Sequence, residues 1–265
     1  MLITANGIRI HYTLNGPAGA PVVTLSHSLA TTLAMWEPQA RALGERYRVL
    51  RFDTRGHGGT DAPAGPYSLE MLTADALALL ESLGIQRTHF VGLSMGGMIG
   101  QLLALEHPDR LRSVSLCDTS SRIPPEAAPI WDERVRAAQA EGMEQAVQPT
   151  INRWFTPACR DARPDVVDPV RAMIRTTPVQ GYVGCCDAIK PLNLTARLGA
   201  IRVPTLVMVG AEDMGTPVAA SRAIHEQIPG SRLVVIPSAS HLSNLEQPEA
   251  FNKALLDFLA EVERP

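Results

Sequence analysis

No stretch of this 265-residue chain approaches the roughly 20 uncharged apolar residues that a bilayer-spanning helix needs. Its first residues, Met-Leu-Ile-Thr-Ala-Asn-Gly, lack the basic start and long apolar run of a secretory signal. These absences predict a cytosolic protein without a membrane partner. Cysteine is scarce: Cys117, Cys159, Cys185 and Cys186 lack metal-site spacing, and a chain this long does not need a disulfide framework. Reduced, buried thiols and no bound metal are expected. Excess charge is also missing, with 24 Lys and Arg against 27 Asp and Glu, a net charge of −3. That balance offers nothing for nucleic acid or an anionic surface to grip. No internal repeat or low-complexity tract occurs, and the oligomeric state is left open.

What is present is an ordinary globular composition, 45% hydrophobic and 19% charged. Leu2 to Leu14 reads as a hairpin turning at Asn6-Gly7. Runs that are apolar throughout follow at Val22 to Leu25, Arg48 to Phe52, His89 to Leu93, Ser113 to Cys117, Thr205 to Val209 and Leu233 to Ile236. Such runs mark strands buried on both faces. Helical patterns lie around Met35 to Leu43, Leu69 to Leu83, Met95 to Glu106, Pro217 to Gln227 and Pro248 to Val262. The alternation predicts an α/β protein with a mostly parallel central sheet covered by helices on both faces. The rhythm breaks at residues 119–200, where helical patterns (Ile130 to Ala140, Met143 to Arg153, Val166 to Ile174) and prolines stand without a strand. We read 1–118 and 201–265 as the core and 119–200 as a helical cap insertion.

Gly92-Leu93-Ser94-Met95-Gly96 has the G-x-S-x-G form at a strand-to-helix junction. In open parallel sheets ligands sit beyond the carboxyl ends of the strands, so a serine in that sharp turn projects into the cleft. The amide of Met95, at the helix start, points toward any oxyanion formed there. Alone, the pattern is also compatible with a glycine-rich turn. A serine hydroxyl needs a base, and the base needs a carboxylate to hold its tautomer. Asp213 follows one later strand and His241 the next, in the chain order Ser, Asp, His that this topology demands. Asp118, at the end of another strand, is the alternative acid. Glu212 is expected to point the other way. His11, His89, His107 and His225 read as packed or surface residues, and His57 as a structural residue in a tight turn steadied by an Asp53 to Arg55 interaction.

The second oxyanion donor should come from the loop "SHSLATTLAMW", through the backbone amide of Leu29. His27 either braces that loop or reaches the substrate.

The hairpin start, the His-Ser-Leu loop, Asp-Thr-Arg-Gly-His-Gly, Gly-Leu-Ser-Met-Gly-Gly, Gly-Ala-Glu-Asp and the terminal Ser-His resemble the α/β-hydrolase superfamily along the whole chain. "SHSLATTLAMWEPQ", "NRWFTP", "GYVGCCDAI" and "HLSNLEQPEAF" further resemble the 3-oxoadipate enol-lactonases of bacterial aromatic degradation. The resemblance implies the α/β-hydrolase fold, with Ser94 as nucleophile, Asp213 as acid, His241 as base, and Leu29 and Met95 as oxyanion donors. It implies acyl-enzyme chemistry on a small ester or lactone without metal or organic cofactor. One departure stands out: His27-Ser28-Leu29-Ala30 replaces the Asn-Ser-Leu-Gly expected of the lactonases, and the lost glycine restricts the loop. A carboxylate-bearing lactone would want a cation, and Arg122, Arg134, Arg136, Arg153, Arg171 and Arg175 of the insertion are candidates. Arg134 and Arg153, near Trp131 and Trp154, lead; Trp36 and Trp154 are candidate pocket walls. Rival readings are a short-chain carboxylesterase or perhydrolase, and a small-molecule receptor on a hydrolase fold.

Overall fold

The computed structural model describes residues 1–264. Eight strands, β1 (Leu2–Ala5), β2 (Ile8–Asn15), β3 (Val22–Ser26), β4 (Arg48–Phe52), β5 (Thr88–Leu93), β6 (Leu111–Cys117), β7 (Thr205–Gly210) and β8 (Arg232–Ile236), form one sheet in the order β1-β2-β4-β3-β5-β6-β7-β8. β1 and β2 make the expected hairpin, whose turn residues Asn6 and Gly7 sit at φ 47° and 75°. A type I′ turn needs two left-handed residues, and Asn-Gly supplies them with little strain. β2 pairs antiparallel with β4, and every later pairing is parallel. All residues of β5 and β7 are buried, as strands covered on both faces must be.

The helices are α1 (Glu37–Leu43), α2 (Leu69–Ser82), α3 (Met95–Glu106), α4 (Ala128–Glu141), α5 (Glu144–Trp154), α6 (Pro157–Ala162), α7 (Pro164–Thr176), α8 (Val179–Ile189), α9 (Val218–Gln227), α10 (Ser243–Glu246) and α11 (Pro248–Val262). α2 starts where the Ser68 hydroxyl accepts the Met71 amide, and it buries Leu69, Leu72, Ala76, Leu79 and Leu80 at helical spacing. α1 packs on α11, while α2 packs on α3, so the sheet is sandwiched between two helical layers. The helix expected from Met35 opens instead with a 3₁₀ turn, Leu33–Trp36, because Pro38 occupies the first turn of the α-helix proper.

Between β6 and β7 lie α4 to α8 and no strand of the sheet. Two of these helices, α6 and α8, have no counterpart in the sequence pattern. α8 reads Val-Gln-Gly-Tyr-Val-Gly-Cys-Cys-Asp-Ala-Ile: it is buried over most of its circumference, so it lacks a polar face, and two glycines depress its helix propensity. The glycines are needed for docking. A Cβ on Gly181 would lie 2.1 Å from the carbonyl oxygen of Gly56, so the helix backbone rests directly on the loop after β4. The insertion consequently shares one contiguous apolar core with the sheet, in which Trp154, Ile174 and Tyr182 join Leu25, Phe90 and Leu116.

In that loop the expected Asp53 to Arg55 interaction is replaced by another. Left-handed turns at Gly56 and Gly58 curl the chain around Asp53, whose carboxylate accepts the amides of Leu33 and Gly59 and bonds to His11 Nδ1. Arg55 points instead to α2 and grips Asp75 with two bonds, 2.6 and 2.7 Å, in a buried pair. Among the described residues no helix is long and apolar enough to cross a membrane.

Removing one partner of a buried pair strands the other's charge, which costs about 3–5 kcal/mol. Asp75→Ala should therefore lower the unfolding free energy by about 3 kcal/mol or more in urea titration. A loss below about 1 kcal/mol, typical of an exposed pair, would refute this account of the loop.

Candidate active site

The turn between β5 and α3 is built by close approach. A Cβ on Gly92 would fall 2.0 Å from the carbonyl oxygen of Gly96, and one on Gly96 would fall 2.1 Å from that of Ser26 in β3. Only glycine fits at either position. Between them Ser94 adopts φ 55° and ψ −114°, a strained conformation held by its amide bonding to Cys117 O (2.9 Å) and by Thr119 Oγ1 donating to its carbonyl (2.7 Å). Met95 is the first residue of α3, so its amide has no acceptor within the helix.

Asp213 lies in the loop after β7, and Gly-Thr-Pro does turn its carboxylate inward. Oδ1 accepts the amides of Gly215 (2.7 Å) and Thr216 (2.9 Å), and Oδ2 accepts Thr216 Oγ1 (2.7 Å). The same Oδ2 lies 2.9 Å from His241 Nδ1. Burial pushes the Asp213 carboxyl up, but His241 and the Thr216 bonds outweigh it and hold the group below its ordinary range. Nδ1 is thus a donor and Nε2 the free ring nitrogen. Among the described residues neither Nε2 nor the Ser94 hydroxyl bonds to another group, and both residues line one small cavity of about 90 Å³. Glu212 is exposed.

The loop after β3 borders the same cavity through Leu29 and Ala30, and two buried histidines shape it. His27 Nδ1 donates to Ser28 O (2.7 Å) and its Nε2 accepts the amide of Thr54 (2.9 Å). His57 Nδ1 donates to Arg55 O (3.2 Å) and its Nε2 accepts the amide of Ala30 (2.9 Å). Ala30 keeps the left-handed conformation suited to glycine, at φ 58°, at a cost of about 1 kcal/mol. The Leu29 amide beside it donates to nothing among the described residues.

A family model described as the alpha/beta hydrolase fold matches residues 21–248. The chain belongs to the α/β-hydrolase family. It is 37% identical to 3-oxoadipate enol-lactonase 2 of Acinetobacter baylyi, over 96% of this chain and 94% of that protein. Its fold superposes on the enol-lactonase from Burkholderia xenovorans LB400 with a TM-score of 0.95 at 41% identity, covering 98% and 100% of the two chains. A thermophilic esterase from Thermogutta terrifontis, determined with malate bound, is similar at TM-score 0.93 and 30% identity, covering 100% and 99%.

This α/β hydrolase brings Ser94, His241, Leu29, Trp154, Arg134 and Arg153 to one cavity. Trp154 lies against the His241 ring, centroids 5.7 Å apart. Arg134 lies over Trp131 at 4.8 Å, and Arg153 makes a 3.3 Å bond to Thr150 Oγ1. Burial lowers Arg153 to about 10. Among the described residues neither arginine is paired with a carboxylate, whereas Arg136, Arg171 and Arg175 are engaged on the surface by Glu133, Asp168 and Glu144. Arg122 is exposed and borders only an outer groove.

Two candidate substrate contacts are corrected. His27 is fully buried with both ring nitrogens on backbone partners, which leaves it only the bracing role. Trp36 is also fully buried, packed against Phe251 of α11 and away from the cavity. Asp118 does not meet His241: its oxygens accept the Gly210 amide (2.8 Å) and the Ser243 hydroxyl (2.6 Å) in a closed interior site. Tyr182 and Ile189, which line the cavity from α8, lie in the lactonase-like stretch "GYVGCCDAI", but that helix carries no periodic pattern to mark them as pocket residues.

Burial holds the His57 pKa down, to about 3 against an ordinary 6.5, and lowers His27 likewise. As pH falls below 6.5, the unfolded chain takes up protons that the folded one refuses, so stability must drop. Urea unfolding between about pH 7 and pH 5 should show a slope on the order of 1 kcal/mol per pH unit per excluded proton. His57→Gln should flatten that slope; an unchanged slope would refute the assignment.

Proposed function

We propose that this protein is a serine hydrolase of small carboxylic esters or lactones, with a carboxylate-bearing enol-lactone of the 3-oxoadipate type as its substrate. The observation that carries the substrate reading is the pair Arg134 and Arg153: among the described residues neither has an acidic partner, and both line the cavity that Ser94 and His241 share. Leaving such groups unpaired beside a partly closed cavity is costly unless an anion arrives. A carboxylate on the substrate is that anion.

In this reading the reaction runs in two stages. His241 Nε2 takes the proton of Ser94 Oγ as that oxygen attacks the substrate carbonyl, and Asp213 steadies the imidazolium through Nδ1. The amides of Leu29 and Met95 receive the negative charge on the carbonyl oxygen. As the tetrahedral species collapses, the ring C–O bond breaks and His241 returns the proton to the leaving enol oxygen. In a lactone that oxygen stays tethered to the acyl group. Water, deprotonated by the same nitrogen, then attacks the acyl-enzyme, and Ser94 leaves with its proton restored. The reducing cytosol, where four free thiols stay free, is the setting we assign.

The relatives support both parts of the reading: two are named enol-lactonases and one an esterase. A neutral-ester hydrolase is the second reading, favoured by the apolar remainder of the cavity wall, which includes Met98, Ile123 and Ile174.

Ser94→Ala should lower kcat by roughly 10⁴-fold to 10⁶-fold on p-nitrophenyl acetate and on the enol-lactone alike. Near-normal turnover would place the nucleophile elsewhere, and a wild type that binds but does not turn over would mark a receptor. Arg153→Gln should raise KM for the acidic lactone by about 10-fold to 100-fold, the worth of a charged hydrogen bond, and leave KM for the neutral acetate unchanged. Equal effects on both substrates would favour the esterase reading.

A further inference from the structure

No step of acyl transfer uses Glu246, yet this last residue of α10 is buried, 7% exposed. Its Oε1 accepts both the amide (2.9 Å) and the hydroxyl (2.8 Å) of Thr156, and its Oε2 accepts the amide of Ser240. Thr156 lies in the insertion, between α5 and α6; Ser240 immediately precedes His241. Two more bonds join the same segments: Leu242 N to Trp154 O (3.2 Å) and Ser240 Oγ to Arg153 O (3.1 Å). The two positions that flank His241, Ser240 and Leu242, are thereby tied to the end of α5. That end carries Arg153, which faces the cavity, and Trp154, whose ring lies against His241.

We propose that Glu246 is a positioning residue, a clamp that holds the arm receiving the substrate's carboxylate and the base serving Ser94 at one fixed spacing. The inference rests on the reading of Ser94 and His241 given above. The two segments are far apart in the chain, one in the insertion and one after β8, and each ends in an irregular stretch. A carboxylate is suited to joining them because its two oxygens accept several donors at once without supplying a competing donor. The same group therefore reaches catalysis by two routes, through Ser240 beside His241 and through Thr156, two residues beyond the end of the helix that carries Arg153 and Trp154. A side chain that merely stabilised the fold would change the amount of folded enzyme and leave both kinetic constants of the folded fraction alone.

The test uses the full-length enzyme with Glu246→Gln, Thr156→Val and Thr156→Ser, assayed on p-nitrophenyl acetate and on the enol-lactone well below each variant's Tm. Rates are normalised to active sites counted with a fluorophosphonate. Glu246→Gln puts a donor against a donor; a displacement on the ångström scale should lower per-site kcat by about tenfold or more on both substrates. It should also raise KM for the acidic lactone several-fold and leave KM for the acetate unchanged. Thr156→Ser, which keeps both donors, should match wild type, and Thr156→Val should fall between. Wild-type per-site constants in Glu246→Gln, or equal losses in Thr156→Ser and Thr156→Val, would overturn the clamp. If Ser94→Ala leaves turnover intact, the serine-hydrolase reading fails and this inference with it; if Ser94→Ala is inactive and Glu246→Gln is not impaired, the clamp fails alone.

Discussion

Everything at the site depends on how closely β3, β5 and the start of α3 approach one another. The carbonyl of Ser26 and the backbone of Gly92 and Gly96 occupy the space a methyl group would need. That contact sets the left-handed turn at Ser94, and it also sets where the loop after β3 begins. The Ser94 hydroxyl, the Met95 amide and the Leu29 amide are placed relative to one another by rigid backbone rather than by side-chain rotamers. Sites built on such elements lose little conformational freedom when a ligand arrives.

Around that contact the protein spends buried polar groups on holding loops still. Asp53 gathers the amides of Leu33 and Gly59, His27 and His57 each bridge one backbone donor and one backbone acceptor, and Asp118 joins Gly210 to Ser243. Burial keeps His57 neutral, and the pressure of Asp213 adds to burial in raising the Asp118 carboxyl well above its ordinary range. None of these groups lines the cavity of Ser94 and His241. Most of their partners are backbone amides and carbonyls of the neighbouring loops, and this is why glycine-rich, irregular segments can carry a defined geometry.

The strands, most helices and the positions of Ser94, Asp213 and His241 were legible because each rests on local pattern: an apolar run, a helical stripe, a glycine pair, a residue just past a strand. α8 was not legible. Its burial on nearly all sides erases amphipathic contrast, and the reason for Gly181, the carbonyl of Gly56, is more than a hundred residues away. The partner of Arg55 was misjudged for the same reason, since the nearest carboxylate in the chain is not the nearest in space. Likewise Trp36 has the composition of a pocket wall, and only packing against α11 takes it out of the cavity.

Sequence alone determined the strand-helix alternation, the strained serine turn and the order of the residues beyond the later strands, because these are properties of neighbours along the chain. Tertiary structure decided which carboxylate meets His241, Asp213 or Asp118, and which arginines line the cavity without an acidic partner among the described residues. It also decided that Glu246 joins the insertion to the histidine loop. Those choices turn on hydrogen bonds and charges whose strength depends on distance and burial, and neither is defined until distant segments pack.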